Sequence, residues 1–180
     1  MTRLSFITCA VLLLASSCAS SCATSRPDGG SGILPVGASA PDFEGRDASD
    51  QPLKLSSVKG KLAVVYFYPK DETPGCTKQA CALRDAFAEY EKNGVTIFGV
   101  SRDSEDSHRK FRQSHQLPFP LVADESGTVQ DAYGVPSKVP GIAARVSFLV
   151  DRQGKIAHVW PDVDPALHAE QVLTAARDLK

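Results

Sequence analysis

The chain has 180 residues, a formal net charge of −1, 42% hydrophobic and 23% charged residues, and five cysteines. That length fits one domain able to build a core without disulfide staples. The balanced charge excludes bulk nucleic-acid binding, which needs a basic footprint. The cysteines fall in two groups, Cys9, Cys18 and Cys22 near the N-terminus and Cys76 and Cys81 mid-chain, and the only methionine is Met1.

Residues 1–32 stand apart from the fold. Arg3 precedes an apolar run of twelve residues, 4–15, and Ser, Ala and Cys follow. This is the pattern of a secretory signal over 1–23, too short to span a bilayer comfortably. Ala-Ser-Ser-Cys occurs at 15–18 and again at 19–22. A cysteine closing such a leader resembles a bacterial lipoprotein signal, in which that cysteine is acylated. Cys18, nearer the end of the apolar run, is the expected site, although Ala15 rather than a leucine stands three residues before it. Ordinary cleavage after Ala19 or Ala23 is the alternative. The expectation is an exported protein, periplasmic or at the cell surface, meeting the membrane only through a lipid anchor. Residues 24–37 (TSRPDGGSGILPVG) read as a flexible linker, and 38–180 as the folded domain.

Within that domain, residues 61–68 (KLAVVYFY) form a continuous apolar, β-branched and aromatic run, so a buried central strand, and 95–101 (VTIFGVS) a second. A helical pattern over 75–92 separates them. A helix over 104–115, a short strand at 119–123 and a short helix at 125–133 follow. Residues 145–150 and 155–160 read as strands joined by the turn Asp151-Arg152-Gln153-Gly154. Asp164-Pro165 opens a C-terminal helix with Leu167, Val172, Leu173 and Ala176 apolar. This order predicts an α/β fold with a central mixed sheet.

The chemistry concentrates in 66–81 (YFYPKDETPGCTKQAC). Pro69 ends the strand because it has no N–H. Thr73-Pro74 opens a helix, with Thr73 as N-cap bonded to the Cys76 backbone and Pro74 in the first turn. On a helix, Ala80, Leu83, Phe87 and Tyr90 fall within about 40° of Cys76, whereas Cys81 lies about 140° away. Cys76 therefore belongs to the packed face at a helix start, where free N–H groups and the dipole favour a thiolate. Two Cα atoms five residues apart on a straight helix are about 8–9 Å apart, too far for a disulfide. Either these cysteines never bond, or oxidation requires the first turn to unwind. Gly75 would ease that unwinding. Asp71 and Glu72 would favour the helix dipole, His108 and His115 read as a solvated helix edge, and Trp160 as partial core. Gln79 lies beside the thiols with no role assigned.

Pro69-x3-Thr73-x2-Cys76 resembles the peroxiredoxin active-site motif, and Cys81 after four further residues resembles the resolving cysteine of the Q-type peroxiredoxins, the bacterioferritin comigratory proteins. The likeness extends over about 36–180. Ala40-Pro41-Asp42-Phe43 resembles the family's opening strand. Gly99-Val100-Ser101 with Asp103-Ser104, the stretch 118–121 and Tyr133-Gly134-Val135 resemble later blocks, and Arg145 its active-site arginine. The resemblance implies a thioredoxin fold and a thiol-dependent peroxidase acting on hydrogen peroxide and organic hydroperoxides. Cys76 would be the peroxidatic nucleophile, shielded by Pro69. Thr73 would hydrogen-bond the peroxide, Arg145 would hold thiolate and peroxide, and Cys81 would resolve the sulfenate as an intramolecular disulfide. No metal or other cofactor is implied. The reductant would be thioredoxin-like or another dithiol, and the chain a monomer.

Two other readings use the same fold. A thiol–disulfide exchange lipoprotein would want Cys-x-x-Cys, which the chain lacks. A copper-delivery protein would pair both thiolates with His158 or His168. That chemistry uses three residues between the cysteines, not the four found here.

Overall fold

The computed structural model describes residue 26 and residues 29–179. The expected signal segment 1–23, with Cys9, Cys18 and Cys22, lies outside the described residues. Nine strands and five α-helices follow in the described residues: β1 (Glu44–Arg46), β2 (Pro52–Lys54), β3 (Leu62–Phe67), α1 (Pro74–Asp85), α2 (Phe87–Lys92), β4 (Val95–Ser101), α3 (Glu105–His115), β5 (Leu121–Ala123), α4 (Thr128–Ala132), β6 (Ser137–Val139), β7 (Ile142–Ala143), β8 (Val146–Val150), β9 (Ile156–Trp160) and α5 (His168–Asp178).

Seven of the strands form one mixed sheet in the order β2-β1-β5-β4-β3-β8-β9. β3 pairs in parallel with β4, and β4 with β5. β8 runs antiparallel to β3, and β9 antiparallel to β8. The alternation of β3 explains why its run is apolar throughout. Leu62, Val64 and Tyr66 point to one core with Leu83, Tyr90, Phe111, Leu149 and Val172. Ala63, Val65 and Phe67 point to the other with Phe98, Tyr133, Val146 and Phe148. A strand covered on both faces reads as one hydrophobic block.

The first of these cores lies under α1, α2, α3 and α5. The thioredoxin-like architecture expected from the sequence, a central mixed sheet flanked by helices, is the one observed.

Several details differ from expectation. The packed domain starts before residue 38: Leu34 is buried and its N–H donates to the Tyr133 carbonyl, and Gly37 N–H donates to Ile156. The latter part of the 24–37 stretch is thus docked rather than a free linker. The stretch 40–43 precedes the first strand instead of forming it. The helix expected over 75–92 breaks at Ala86, whose ψ of 4° ends α1 and starts α2. Asp164 makes a turn, accepting from Ala166, Leu167 and His168, and α5 begins only at His168, leaving Leu167 exposed.

Candidate active site

The end of β3 and the start of β8 meet because these strands are antiparallel. Phe67 pairs with Val146, so the chain leaving β3 toward α1 lies beside Arg145 as it enters β8. This register brings together two residues 69 positions apart: Arg145 Nη2 donates to Cys76 Sγ at 3.3 Å. Cys76 is 1% exposed, in the first turn of α1, and packs with Ala80, Leu83 and Tyr90 as the helical phase predicts. A buried sulfur touched by a permanent cation and facing a helix start has the contacts a thiolate accepts.

Arg145 is itself held. Its Nη1 donates to Gln79 Oε1, and Gln79 Nε2 lies 2.9 Å from His168 Nδ1. Gln79 and His168 are both fully buried. Burial, with the charge of Arg145 adding to it, pushes His168 down to a pKa of about 4. Neither Gln79 nor His168 was singled out for this place by the sequence. The usable signal was phase: Gln79 sits about 60° from Cys76 on α1, and His168 shares a helix face with Val172 and Ala176.

Thr73 is the N-cap of α1 by backbone conformation, and Pro74 occupies the first helical position. Its side chain does not cap. The hydroxyl donates to the Lys70 carbonyl at 3.0 Å instead, which corrects the expected bond to the Cys76 backbone. With its proton committed, Thr73 Oγ1 keeps lone pairs for an incoming O–H donor. Pro69 is half-buried at the end of β3.

The loop between Pro69 and Thr73 is anchored by Asp71, not left to the helix dipole. Asp71 accepts from Tyr68 Oη at 2.7 Å, Ser107 Oγ at 2.7 Å and His108 Nδ1 at 2.9 Å. Burial would raise its carboxyl, but the bonds from His108, Tyr68 and Ser107 outweigh that and hold it below the usual range. His108 Nε2 donates to the Val122 carbonyl at 3.1 Å. His108 is therefore a core residue, 2% exposed, and not the solvated edge its sequence suggests. His115 is half-buried and pairs with Glu72 at 3.0 Å. Glu72 takes a left-handed φ of 58° just before Thr73.

Cys81 lies in the same unbroken helix, half-buried, and both cysteines are free thiols. The site thus brings Pro69, Thr73, Cys76 and Arg145 to one end of the sheet and leaves Cys81 more than a helical turn further on. His168 is engaged by Gln79, and the His158 ring packs at a tilt against Trp160 at a centroid distance of 4.2 Å. Among the described residues no three-ligand cluster of His, Cys, Asp and Glu forms.

A helix-start thiol held against a guanidinium at one end of a mixed sheet has the parts of a thiol-dependent enzyme. The model of the AhpC/TSA family matches residues 36–159. The chain is 41% identical over 146 residues to the chloroplastic peroxiredoxin Q of Sedum lineare, spanning 80% of this chain and 78% of that one. Its fold is similar to the peroxidoxin BcpB of Mycobacterium tuberculosis, with a TM-score of 0.75, 30% identity, and 82% and 99% of the two chains covered. It is also similar to the Xanthomonas campestris bacterioferritin comigratory protein, whose intermediate and ligand complexes were solved to explain its alkyl peroxide reduction. There the TM-score is 0.72 at 31% identity, covering 82% of this chain and 98% of the other. The chain belongs to the AhpC/TSA family, as a peroxidase of the peroxiredoxin type.

Proposed function

We propose that this peroxidase reduces hydrogen peroxide and organic hydroperoxides through Cys76, with Cys81 as the resolving cysteine. The Arg145–Cys76 contact at 3.3 Å carries the reading. The Cys76 thiolate attacks the distal oxygen of ROOH. The O–O bond breaks, Cys76 becomes a sulfenic acid, and RO⁻ leaves and takes a proton. Charge develops on the leaving oxygen, so a fixed cation that already touches the sulfur can also stabilise the transition state. Thr73 Oγ1 accepts from the peroxide O–H, and Pro69 keeps water from the thiolate.

The Cys81 thiol then condenses with the sulfenic acid, releasing water and forming a disulfide within one chain. Both sulfurs lie on one continuous helix, so the first turns of α1 unwind for this step. A dithiol reductant, thioredoxin-like in class, returns both thiols and becomes a disulfide itself. Resolution within one chain needs no partner subunit, which favours a monomer. The leader pattern over 1–23 and Cys18 favour export and a lipid anchor outside the cytoplasm, where the reductant would also have to reside.

Peroxide consumption with a generic dithiol tests the core of the reading. Wild type is expected to turn over and Cys76→Ser to lose all peroxide-dependent thiol oxidation; turnover by Cys76→Ser overturns it. The intact mass of the protein isolated from cells reports acylation at Cys18 and the cleavage point in one measurement.

A further inference from the structure

Gln79 and His168 form a buried polar pair that the peroxide chemistry does not itself require. Gln79 touches Arg145 on one side and His168 on the other. Arginine can only donate, so the amide atom facing Arg145 is the carbonyl oxygen. The amide nitrogen therefore faces His168 Nδ1, which must accept. That fixes His168 as the neutral tautomer with its proton on Nε2. Nε2 is buried with no hydrogen-bond partner. A buried unpaired donor is costly, and a phenylalanine or leucine would fill the same space without that cost. The imidazole is kept where only its Nδ1 lone pair is used.

We infer that His168 is a positioning residue for Arg145, acting through Gln79. Its Nδ1 acceptor locks the Gln79 amide with Oε1 toward the guanidinium, and the guanidinium is thereby aimed at Cys76. Without an acceptor at that point the amide is free to turn, and its NH2 would then face another donor. Protonation of Nδ1 has the same effect, and the pKa of about 4 keeps His168 neutral through the working range. The other groups packed on the imidazole are the Tyr66 ring from β3 and the Trp160 ring from β9, with Arg145 the charge that faces it. This inference rests on the proposed role of Arg145 in peroxide reduction.

The test is the single-turnover rate of Cys76 oxidation by hydrogen peroxide in the full chain, with thermal unfolding measured alongside. His168→Phe keeps the ring and removes the acceptor. Its rate is expected to fall about tenfold, the scale of one lost hydrogen bond. His168→Asn places an amide oxygen near the Nδ1 position and is expected to restore the rate to within about threefold of wild type. Gln79→Leu breaks the same relay without altering α5 and is expected to give the same loss. Combining His168→Phe with Gln79→Leu should add nothing further. Equal rates for wild type and either His168→Phe or Gln79→Leu, or full additivity of the two losses, overturn the proposal. Arg145→Gln separates the two levels: if it slows oxidation while both relay variants do not, only the His168 inference falls. If Arg145→Gln leaves the rate unchanged, the role proposed for Arg145 falls first. Below pH 5 the wild-type rate should drop more steeply than that of His168→Asn; parallel profiles count against the relay.

Discussion

Asp71 and His108 join at 2.9 Å across the gap between the loop entering α1 and the outer helix α3, both nearly fully buried. The pair ties the motif loop to the body of the sheet, since His108 also donates to the carbonyl of Val122 within β5. Asp71 is the hub. It satisfies Tyr68, Ser107 and His108 at once and uses its own backbone N–H on Asp103.

Asp71→Asn should therefore cost about 3 kcal/mol of stability, because it leaves buried donors facing an amide that cannot accept them all. Its effect should be read by denaturant unfolding near pH 7. The pH dependence has a definite sign. The Asp71 carboxyl is held below its ordinary value of 3.8, so its contribution is complete above that value and is lost as the pH falls through the lower folded one. Acid unfolding of Asp71→Asn should be flatter than wild type in that window. Identical acid limbs would remove Asp71 from the account.

Cys81→Ser should still reduce one equivalent of peroxide per chain and then stop with an oxidised Cys76. Mass spectrometry after dimedone trapping should find a sulfenic acid adduct on Cys76. Wild type should instead lose two hydrogens in the same treatment. A wild-type protein that also accumulates sulfenate would place resolution elsewhere.

Gly75→Ala probes the unwinding directly. Alanine stabilises a helix by about 1 kcal/mol over glycine, so disulfide formation after the sulfenate should slow by about fivefold. A Cβ here would also sit 3.3 Å from Arg145 Nη2, a tight contact that asks the guanidinium to yield by a few tenths of an ångström. The peroxide step should therefore slow as well, and stopped-flow with separate sulfenate and disulfide readouts resolves the two. An oxidised structure with a Cys76–Cys81 bond and an intact first turn would contradict the unwinding.

Thr73→Ser should retain peroxide reduction to within about threefold, whereas Thr73→Val should lose about tenfold or more, as expected for one hydrogen bond to the reacting molecule. Thr73→Val also loses the bond to the Lys70 carbonyl. Comparing kcat/KM with the melting temperature separates the two effects.

Much of this was legible in the chain. The run 61–68 and the stretch 95–101 declare themselves because a central strand buried on both faces needs no alternation, and β4 has the bounds read for it. The packed face of α1 was readable from phase alone. The strands β1 and β2 were not, since three residues each carry no period. The break at Ala86 has no glycine or proline to announce it. His108 looked like a surface residue because its acceptor, Asp71, is 37 positions away, and only the sheet brings them together. The contact between Gln79 and His168 was hidden for the same reason, the two being 89 positions apart. Polar residues on apolar helix faces were the visible sign, but a single sequence does not say which of them find partners.

The antiparallel pairing of β3 and β8 has a consequence for how this chain tolerates changes in length. The sheet works as a ruler between thiol and guanidinium. Because each residue advances a strand by about 3.3 Å and reverses its facing, one residue inserted between Arg145 and Phe148 would turn Arg145 away from Cys76. Two would restore its facing but carry it about 7 Å off target. Insertions in the 151–155 turn, at the opposite end of the same strand, leave that measure untouched. Length variation should therefore be silent at one end of β8 and disabling at the other.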